Sequence, residues 1–411
     1  MNWKICWLPL AALAAASAAH AQPVGYAEAL RQAQIEQPLL EARALQAQAA
    51  REAVGPADEL PDPVLRGGIT NLPVTGAAAF NPNRQPPTQI QLGVEQAIPN
   101  LAKRNAREGL ALSDTQVTQA RLIMARRDVA AATGQAWIGL YFAQQRLALA
   151  QAAQDDLRSL VPVARSAVAA GSARPAESLE IRRALLDLDD ARTRIEADLA
   201  SARARLVRFL PGSDPVASGV APPADADTAR LRANLASIPE VQMTDAVAAR
   251  ADAASDLARA DLRPDFGVSA TFGRRDPDFG NAVSVLGSVT LPLFTDKRQR
   301  PRIAAAEAQA MAAAAERQDT LRAITAQFES DLAAWHSAMR QWQRARDELL
   351  PLARDRADLE TASFAAGRAD LIDVIAARTA LALLELDILE REAAAVEAAA
   401  VLRLTYGEQM L

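Results

Sequence analysis

Cysteine is nearly missing from this chain: Cys6 is the only one in 411 residues, and it lies in the opening apolar run. Downstream of that run no disulfide, thiolate metal centre or cysteine nucleophile can be built. Histidine is almost as scarce. Only His20 and His336 occur, too few for a catalytic triad or a typical zinc site, so His336 reads as an exposed helix residue. Aromatic residues are 4% of the chain against 23% charged, thin for globular cores but suited to long helices packed through small side chains. Beyond the opening run no stretch offers the 18 or so apolar residues of a transmembrane helix. The net charge of −5 is mild and argues against nucleic acid as a partner. A glycine-rich phosphate loop and a nucleophile–base pair are absent too, so neither catalysis, a cofactor nor a resident metal is expected.

The opening residues are informative in their own right. Met1–Lys4 is basic, Ile5–Ala19 is apolar, and Ala19-His20-Ala21 fits the small-x-small cleavage rule. This pattern predicts a signal peptide over residues 1–21, with cleavage before Gln22. A lipoprotein would carry its cysteine at the cleavage site, and Cys6 lies well before it, so no amino-terminal lipid is predicted.

The chain also repeats itself. Residues from Glu36 resemble those from Ser237, with Pro38 and Pro63 matching Pro239 and Pro264, both 201 residues apart. QAIPNLAKR around Pro99 resembles VTLPLFTDKR around Pro292, and VAAGSARPAESLEI around Gly171 resembles FAAGRADLIDVI around Gly367. The three matches keep the same order. Each half therefore reads helix, strand, turn-rich loop, strand, long helix, glycine turn, helix, with the first helices at about 25–54 and 226–260.

The strand segments alternate. In FGVSATFG, Phe266, Val268, Ala270 and Phe272 point one way, while Gly267, Ser269, Thr271 and Gly273 point the other. Ile90, Leu92 and Val94 alternate with glutamines, Gly93 and Glu95; Val283, Val285, Val289 and Leu291 do the same with mostly small neighbours. Only VLRGGITNL, residues 64–72, is irregular. One apolar and one polar face over about ten residues fits a membrane β-strand, and equally the half-buried strand of a soluble sheet.

The long helices separate these readings. From Lys103 to Gly171 and from Lys297 to Gly367 turn signals are few, with Pro162 and Pro351 as expected kinks. Each path would run on the order of 100 Å, deeper than any small sheet domain. The returning helices carry heptads, Ile181, Leu188, Ile195, Ala202, Phe209 and Val374, Leu381, Ile388, Ala395, Leu402, which predict coiled-coil seams. Four strands cannot close a barrel, and open edges are not tolerated in lipid, so a membrane reading demands an oligomer; three chains would supply twelve strands.

At this point the chain resembles the TolC family of outer-membrane efflux channels (outer membrane factors), over essentially its whole length after the leader. LPDPVLRGGITNLPV and the Pro–Lys–Arg step are most similar to members serving heavy-metal RND pumps. The resemblance implies a mostly α fold with a membrane β-barrel portion. It implies a homotrimer with a twelve-stranded barrel in outer-membrane lipid and a long helical barrel in the periplasm. The implied function is a passive exit duct, joined through a periplasmic adaptor (membrane fusion protein) to an inner-membrane RND-type transporter, for heavy-metal cations. A drug-efflux or type I secretion outlet uses the same fold. A periplasmic adaptor also has long hairpins, but one hairpin rather than two. The implied layout is a first repeat, 22–215, with strands within about 62–98 and a hairpin over about 103–210, then a second, 216–411, with strands within about 264–292 and a hairpin over about 297–406.

The same resemblance assigns roles. AAGRADLIDVI is similar to the family's tip motif, whose acidic residues ring the periplasmic mouth, and Asp373 falls on such a position. A second acid expected three residues later is Ala376 here, and Asp370 is the compensating candidate; both aspartates also suit an ordinary helix start. Gly171, Ser172, Gly367 and Arg368 are the implied adaptor contacts, and Phe266, Val268, Ala270 and Phe272 the implied lipid-facing strand. Lys103, Arg104 and Arg107, with Lys297, Arg298 and Arg300, read either as a collar for lipid headgroups or as a solvated basic surface. Trp137 with Tyr141, and Trp335 with Trp342, read as packing residues.

Overall fold

In a computed structural model, the described residues are 21–77, 79–81, 87–170 and 174–407. The predicted leader lies outside them apart from the backbone of Ala21, as do Gly171 and Ser172. The described chain has six strands and nine α-helices: β1 Ala21–Val24, α1 Tyr26–Ala33, α2 Pro38–Glu52, β2 Val64–Thr70, β3 Gln89–Ile98, α3 Leu101–Ala169, α4 Glu177–Val207, β4 Asp214–Ala217, α5 Thr228–Asn234, α6 Pro239–Ala260, β5 Asp265–Arg274, β6 Ala282–Thr290, α7 Gln299–Arg344, α8 Leu350–Ala365 and α9 Leu371–Tyr406. No described helix is long and apolar enough to cross a membrane.

Each expected first helix is in fact two. The break falls just before Pro38 in one half and just before Pro239 in the other. Proline lacks an N–H and pushes the preceding residue out of the helical region, so it opens a helix rather than continuing one; Ile238, before Pro239, is extended with ψ 156°. The two expected kinks behave differently. Pro162 lies inside an unbroken α3, whereas Pro351 follows a π-helical turn, Ala345–Leu349, that separates α7 from α8.

The chain forms two compact units, each drawing segments from both halves of the sequence. The first comprises residues up to Gln37, Val129–Ala226 and Asp331–Leu404. Here α3, α4 and α9 pack along the predicted heptads. Ile181, Leu188, Ile195, Ala202 and Phe209 are buried, as are Val374, Ile388, Ala395 and Leu402, while Leu381 is half-buried. Arg146 of α3 reaches Asp198 of α4 at 3.5 Å and Glu390 of α9 at 3.3 Å, and Arg354 of α8 reaches Glu385 of α9 at 2.9 Å.

Trp137 anchors the far end of this unit. Its ring is fully buried against Tyr26 and Tyr141, and its indole N–H donates to the Val24 carbonyl at 2.8 Å. That bond ties α3 to β1, which pairs in parallel with β4. Gly134 permits the arrangement, because a Cβ there would sit 2.8 Å from Leu404 and 2.9 Å from the Tyr26 hydroxyl. Trp335 donates to the Ala224 carbonyl at 2.8 Å, so it pins a loop to α7 as Trp137 pins a strand to α3.

The second unit comprises Pro38–Asp128, Asp227–Ser330 and the residues from Thr405. Its helices pack through small residues, with Val117 and Ala120 of α3 against Ala246 of α6. Its sheet is antiparallel in the order β2-β3-β5-β6. The irregular segment at 64–72 therefore does form a strand, pairing along β3 from Val64 opposite Glu95 to Thr70 opposite Gln89.

A partly buried polar cluster joins sheet to helices. Asn100 caps α3, its side-chain oxygen accepting from the Lys103 amide at 2.8 Å. Its own backbone and side-chain N–H groups both donate to one Asp265 oxygen at 2.9 Å. The Lys103 ammonium, 15% exposed, donates to the other Asp265 oxygen at 2.7 Å and lies 2.8 Å from Asp261. Lys103 is thus committed to a structural ion pair rather than to a solvated collar. Arg104 likewise bonds Asp58.

Burial alone would lower the Lys103 pKa, but its bonds to Asp261 and Asp265 outweigh this and hold it above the ordinary lysine value. A raised folded-state value makes the contribution complete below the unfolded lysine pKa, and it fades only as pH rises past the folded one. It is therefore undiminished at neutral pH. Lys103→Met should destabilise this unit by about 1–3 kcal/mol through loss of the ammonium's bonds to Asp261 and Asp265, read as a lower unfolding midpoint at pH 7. An unchanged midpoint would show that water satisfies Asp261 and Asp265 equally well.

Candidate functional site

In the first unit the hairpin turns are built by capping. After α8, Gly367 takes φ +67°; its N–H donates to Phe364 O at 2.9 Å, and the Arg368 N–H donates to Ser363 O at 2.8 Å. This Schellman pair satisfies two end carbonyls and needs a left-handed residue, which glycine supplies without a Cβ clash. Arg368 follows it immediately, exposed. On the other hairpin Pro175 starts the first turn leading into α4. The buried Glu177 reaches back to accept from the Arg174 amide at 3.1 Å, which is the return half of a capping box.

The two turns meet through charge. The Arg174 guanidinium lies 3.9 Å from an Asp370 oxygen, both side chains well exposed. Asp370 directly precedes α9, yet its carboxylate is turned toward Arg174, and no side-chain cap to the helix start is formed among the described residues. Its backbone carbonyl accepts from the Asp373 amide at 3.2 Å instead. Asp373 is exposed in the first turn of α9, where the helix dipole favours an acid. Leu371, Val374 and Ile375 on the same turn are buried, and Leu371 and Ile375 pack with Leu157, Ile181 and Leu188, so the acid is held outward by a fixed apolar anchor. Behind the turns, Arg378 holds both oxygens of Asp156 at 2.8 and 2.9 Å.

Arg174, Glu177 and Arg378 were not among the expected site residues. The Pro175–Glu177 spacing carried a capping signal for the first two; the partner of Arg378 is 222 residues away and left no local trace.

In the second unit the strand register gathers side chains into two faces. Leu65 lies opposite Val94, Leu92 opposite Phe272, Val94 opposite Ala270, Phe266 opposite Val289 and Phe272 opposite Val283. Phe266, Val268, Ala270 and Phe272 therefore share one exposed face with Ile90, Leu92, Val283, Val285 and Val289. The opposite face carries Gln91, Ser269, Thr271, Ser284 and an Arg66–Glu95 ion pair at 2.6 Å. It is crowded. A Cβ on Gly93 would lie 2.6 Å from the Thr271 hydroxyl, and one on Gly267 would lie 2.6 Å from the Ser288 hydroxyl. Beyond β6 the second basic cluster differs from the first, since Lys297 and Arg298 are exposed and Arg300 pairs with nearby Asp296. Among the described residues no group of three or more His, Cys, Asp or Glu side chains is placed to hold a metal ion.

Residues 231–408 match the family described as Outer membrane efflux protein. The fold is shared with solved structures. A membrane protein from Pseudomonas aeruginosa superposes with a TM-score of 0.79 at 19% identity, covering 93% of this chain and 90% of that one. The Campylobacter jejuni CmeC outer membrane channel gives 0.77 at 13% identity, covering 93% and 85%. The outer membrane protein VceC of Vibrio cholerae gives 0.75 at 17% identity, covering 94% and 97%. No curated protein matches the sequence. At such identities the likeness establishes the fold alone, which in this chain is mostly helical with a small antiparallel sheet.

Proposed function

We propose that the chain is one of three identical subunits of an outer-membrane exit duct in a tripartite efflux system. The observation that carries this reading is the sheet of the second unit, with an apolar face left open to solvent and strands β2 and β6 each paired on one side only. In water such a face and such edges are liabilities. In lipid the face is what a strand requires, and pairing β6 of one chain with β2 of the next would remove the edges and close twelve strands. On this reading Phe266, Val268, Ala270 and Phe272 meet outer-membrane lipid, and Ser269 and Thr271 line the lumen. The division into repeats 22–215 and 216–411 follows from the same duplication.

The duct performs no chemistry; an inner-membrane RND-type transporter supplies the energy and a periplasmic adaptor the connection. The hairpin turns, with Gly171 and Ser172 on one and Gly367 and Arg368 on the other, are the proposed adaptor contacts. Asp373 is the proposed gate acid, assisted by Asp370. Heavy-metal cations are the proposed cargo, resting on the likeness of residues 60–74 to members serving metal pumps.

The reading is tested by fractionation. The mature chain should sediment with outer membranes and run as a trimer in mild detergent, and recovery as a soluble monomer would defeat it. The orientation of the sheet has a separate test. Val268→Arg should hinder stable insertion by roughly 2–4 kcal/mol if it lies near mid-membrane, and Ser269→Arg should be milder. Equal damage at both positions, or the reverse order, would sink the assignment of faces.

A ring of three Asp373 carboxylates would attract cations, as charged rings do in pores. Asp373→Asn should lower cation preference and weaken block by multivalent cations in single-channel recordings, while Asp373→Glu should keep most of both. Asp370→Asn should change them less, since its carboxylate is shared with Arg174. Unchanged selectivity and block in normally abundant Asp373→Asn trimers would make Asp373 a helix-start residue only.

A further inference from the structure

The duplicated halves treat the same basic step differently where a strand hands over to a long helix. In the first half Asn100 follows Pro99 and caps α3, so Lys103 and Arg104 fall inside the first turn of the helix. Both cations are held by carboxylates there, Lys103 by Asp261 and Asp265 and Arg104 by Asp58. In the second half Leu293 follows Pro292, and leucine offers no cap. The chain runs on through a short 3₁₀ turn, Thr295–Lys297, and α7 opens only at Gln299. Lys297 and Arg298 therefore stand ahead of the helix, exposed, and neither makes a hydrogen bond or ion pair among the described residues. With Arg300, which pairs with Asp296 at 3.1 Å, they give residues 296–300 three cations and one acid.

The acids that hold Lys103 have no counterpart for Lys297. By the 201-residue offset between the halves, Asp261 and Asp265 correspond to Leu60 and Val64, both apolar and exposed. A ring in which β6 meets β2 of the next subunit brings these apolar residues to the equivalent place. Apolar exposure also continues past the strand. Leu291, Leu293 and Phe294 are 57%, 74% and 69% exposed, directly between the open face of β6 and the cations. In the first half the stretch from Ile98 to Asn100 is half-buried or buried, and the open Leu101 stands beside cations already paired.

We propose that this turn of the second half is a site for an anionic phospholipid. Lys297 and Arg298 hold the phosphate, and the acyl chains lie on Leu291, Leu293 and Phe294. Exposed cations beside a membrane are drawn to anionic headgroups, and the guanidinium fork matches phosphate geometry. The neighbouring apolar residues favour a lipid over free phosphate. Each subunit offers one such site, because the matching cations of the first half are bound to acids. This rests on the outer-membrane reading above, which puts the end of β6 at the periplasmic leaflet, and adds a lipid preference to it.

The test uses the whole protein purified from outer membranes in mild detergent. Native mass spectrometry counts bound lipid after addition of phosphatidylglycerol or phosphatidylcholine. The unsubstituted protein should retain one phosphatidylglycerol per subunit and little phosphatidylcholine. Lys297→Gln with Arg298→Gln should weaken that retention roughly 30-fold, the ordinary contribution of two cations at a membrane surface. Arg274→Gln with Arg275→Gln removes the same charge at the other end of β5 and should leave retention unchanged. Phe294→Ser should also weaken it, whereas a site for phosphate alone would be indifferent to that change. Equal retention of the two lipids, or equal loss in both double variants, would overturn the site while outer-membrane fractionation leaves the duct standing. Retention that falls only in step with trimer abundance would give Lys297 and Arg298 to the neighbouring subunit and overturn it too. Absence of the unsubstituted protein from outer membranes would remove both readings.

Discussion

Removal of apolar surface from water drives this fold, and within the chain it leaves one apolar sheet face uncovered. Seams of Ile, Leu and Ala hold α3, α4 and α9 together, and small-residue contacts hold α3 to α6. The apolar sheet face stays open to solvent. This surface is ordered like the core. It alternates with period two on the strands, so it is built for contact. On the proposed reading, the medium that the sheet face would meet is lipid.

Polar groups supply what apolar packing lacks, which is direction. Asn100, Lys103 and Asp265 fix where a strand ends and a helix begins, and the Trp137 indole fixes how β1 enters its unit. Buried groups of this kind are held because leaving any one unpaired costs more than the bond itself contributes. Without them the long helices could slide by a heptad and still bury similar side chains. The ion pairs of Arg146 and Arg378 act against the same slippage.

Much of this was legible in the sequence because it is periodic or local. Alternation identified Phe266, Val268, Ala270 and Phe272 as one face, the heptads identified the α4 and α9 seams, and Gly367 marked its own turn. The strand at 64–72 was obscured by Gly67 and Gly68, which have no side chain to show an alternation. Four-residue β1 and β4 are too short for any period to appear. The remaining gaps are long-range: Lys103 meets Asp265, and Asp370 turns toward Arg174, across separations that only the folded chain closes. A capping aspartate and a charge-paired one look the same until the partner is in place.

The π-helical turn before Pro351 has a consequence for how the two hairpins differ. An α-helix advances about 100° per residue, and a π turn accommodates one residue more than the α turn it replaces. Everything beyond Ala345–Leu349 is therefore rotated by about that angle relative to an uninterrupted α7. The extra residue works as a frameshift in three dimensions: it lets α7 and α8 present differently phased stripes to their neighbours along one continuous path. Trp335 and Trp342 obey the phase before the insertion, Leu352 and Leu359 the phase after it. The first hairpin, whose α3 crosses Pro162 without such a turn, keeps a single phase throughout, so the duplicated halves are no longer interchangeable staves.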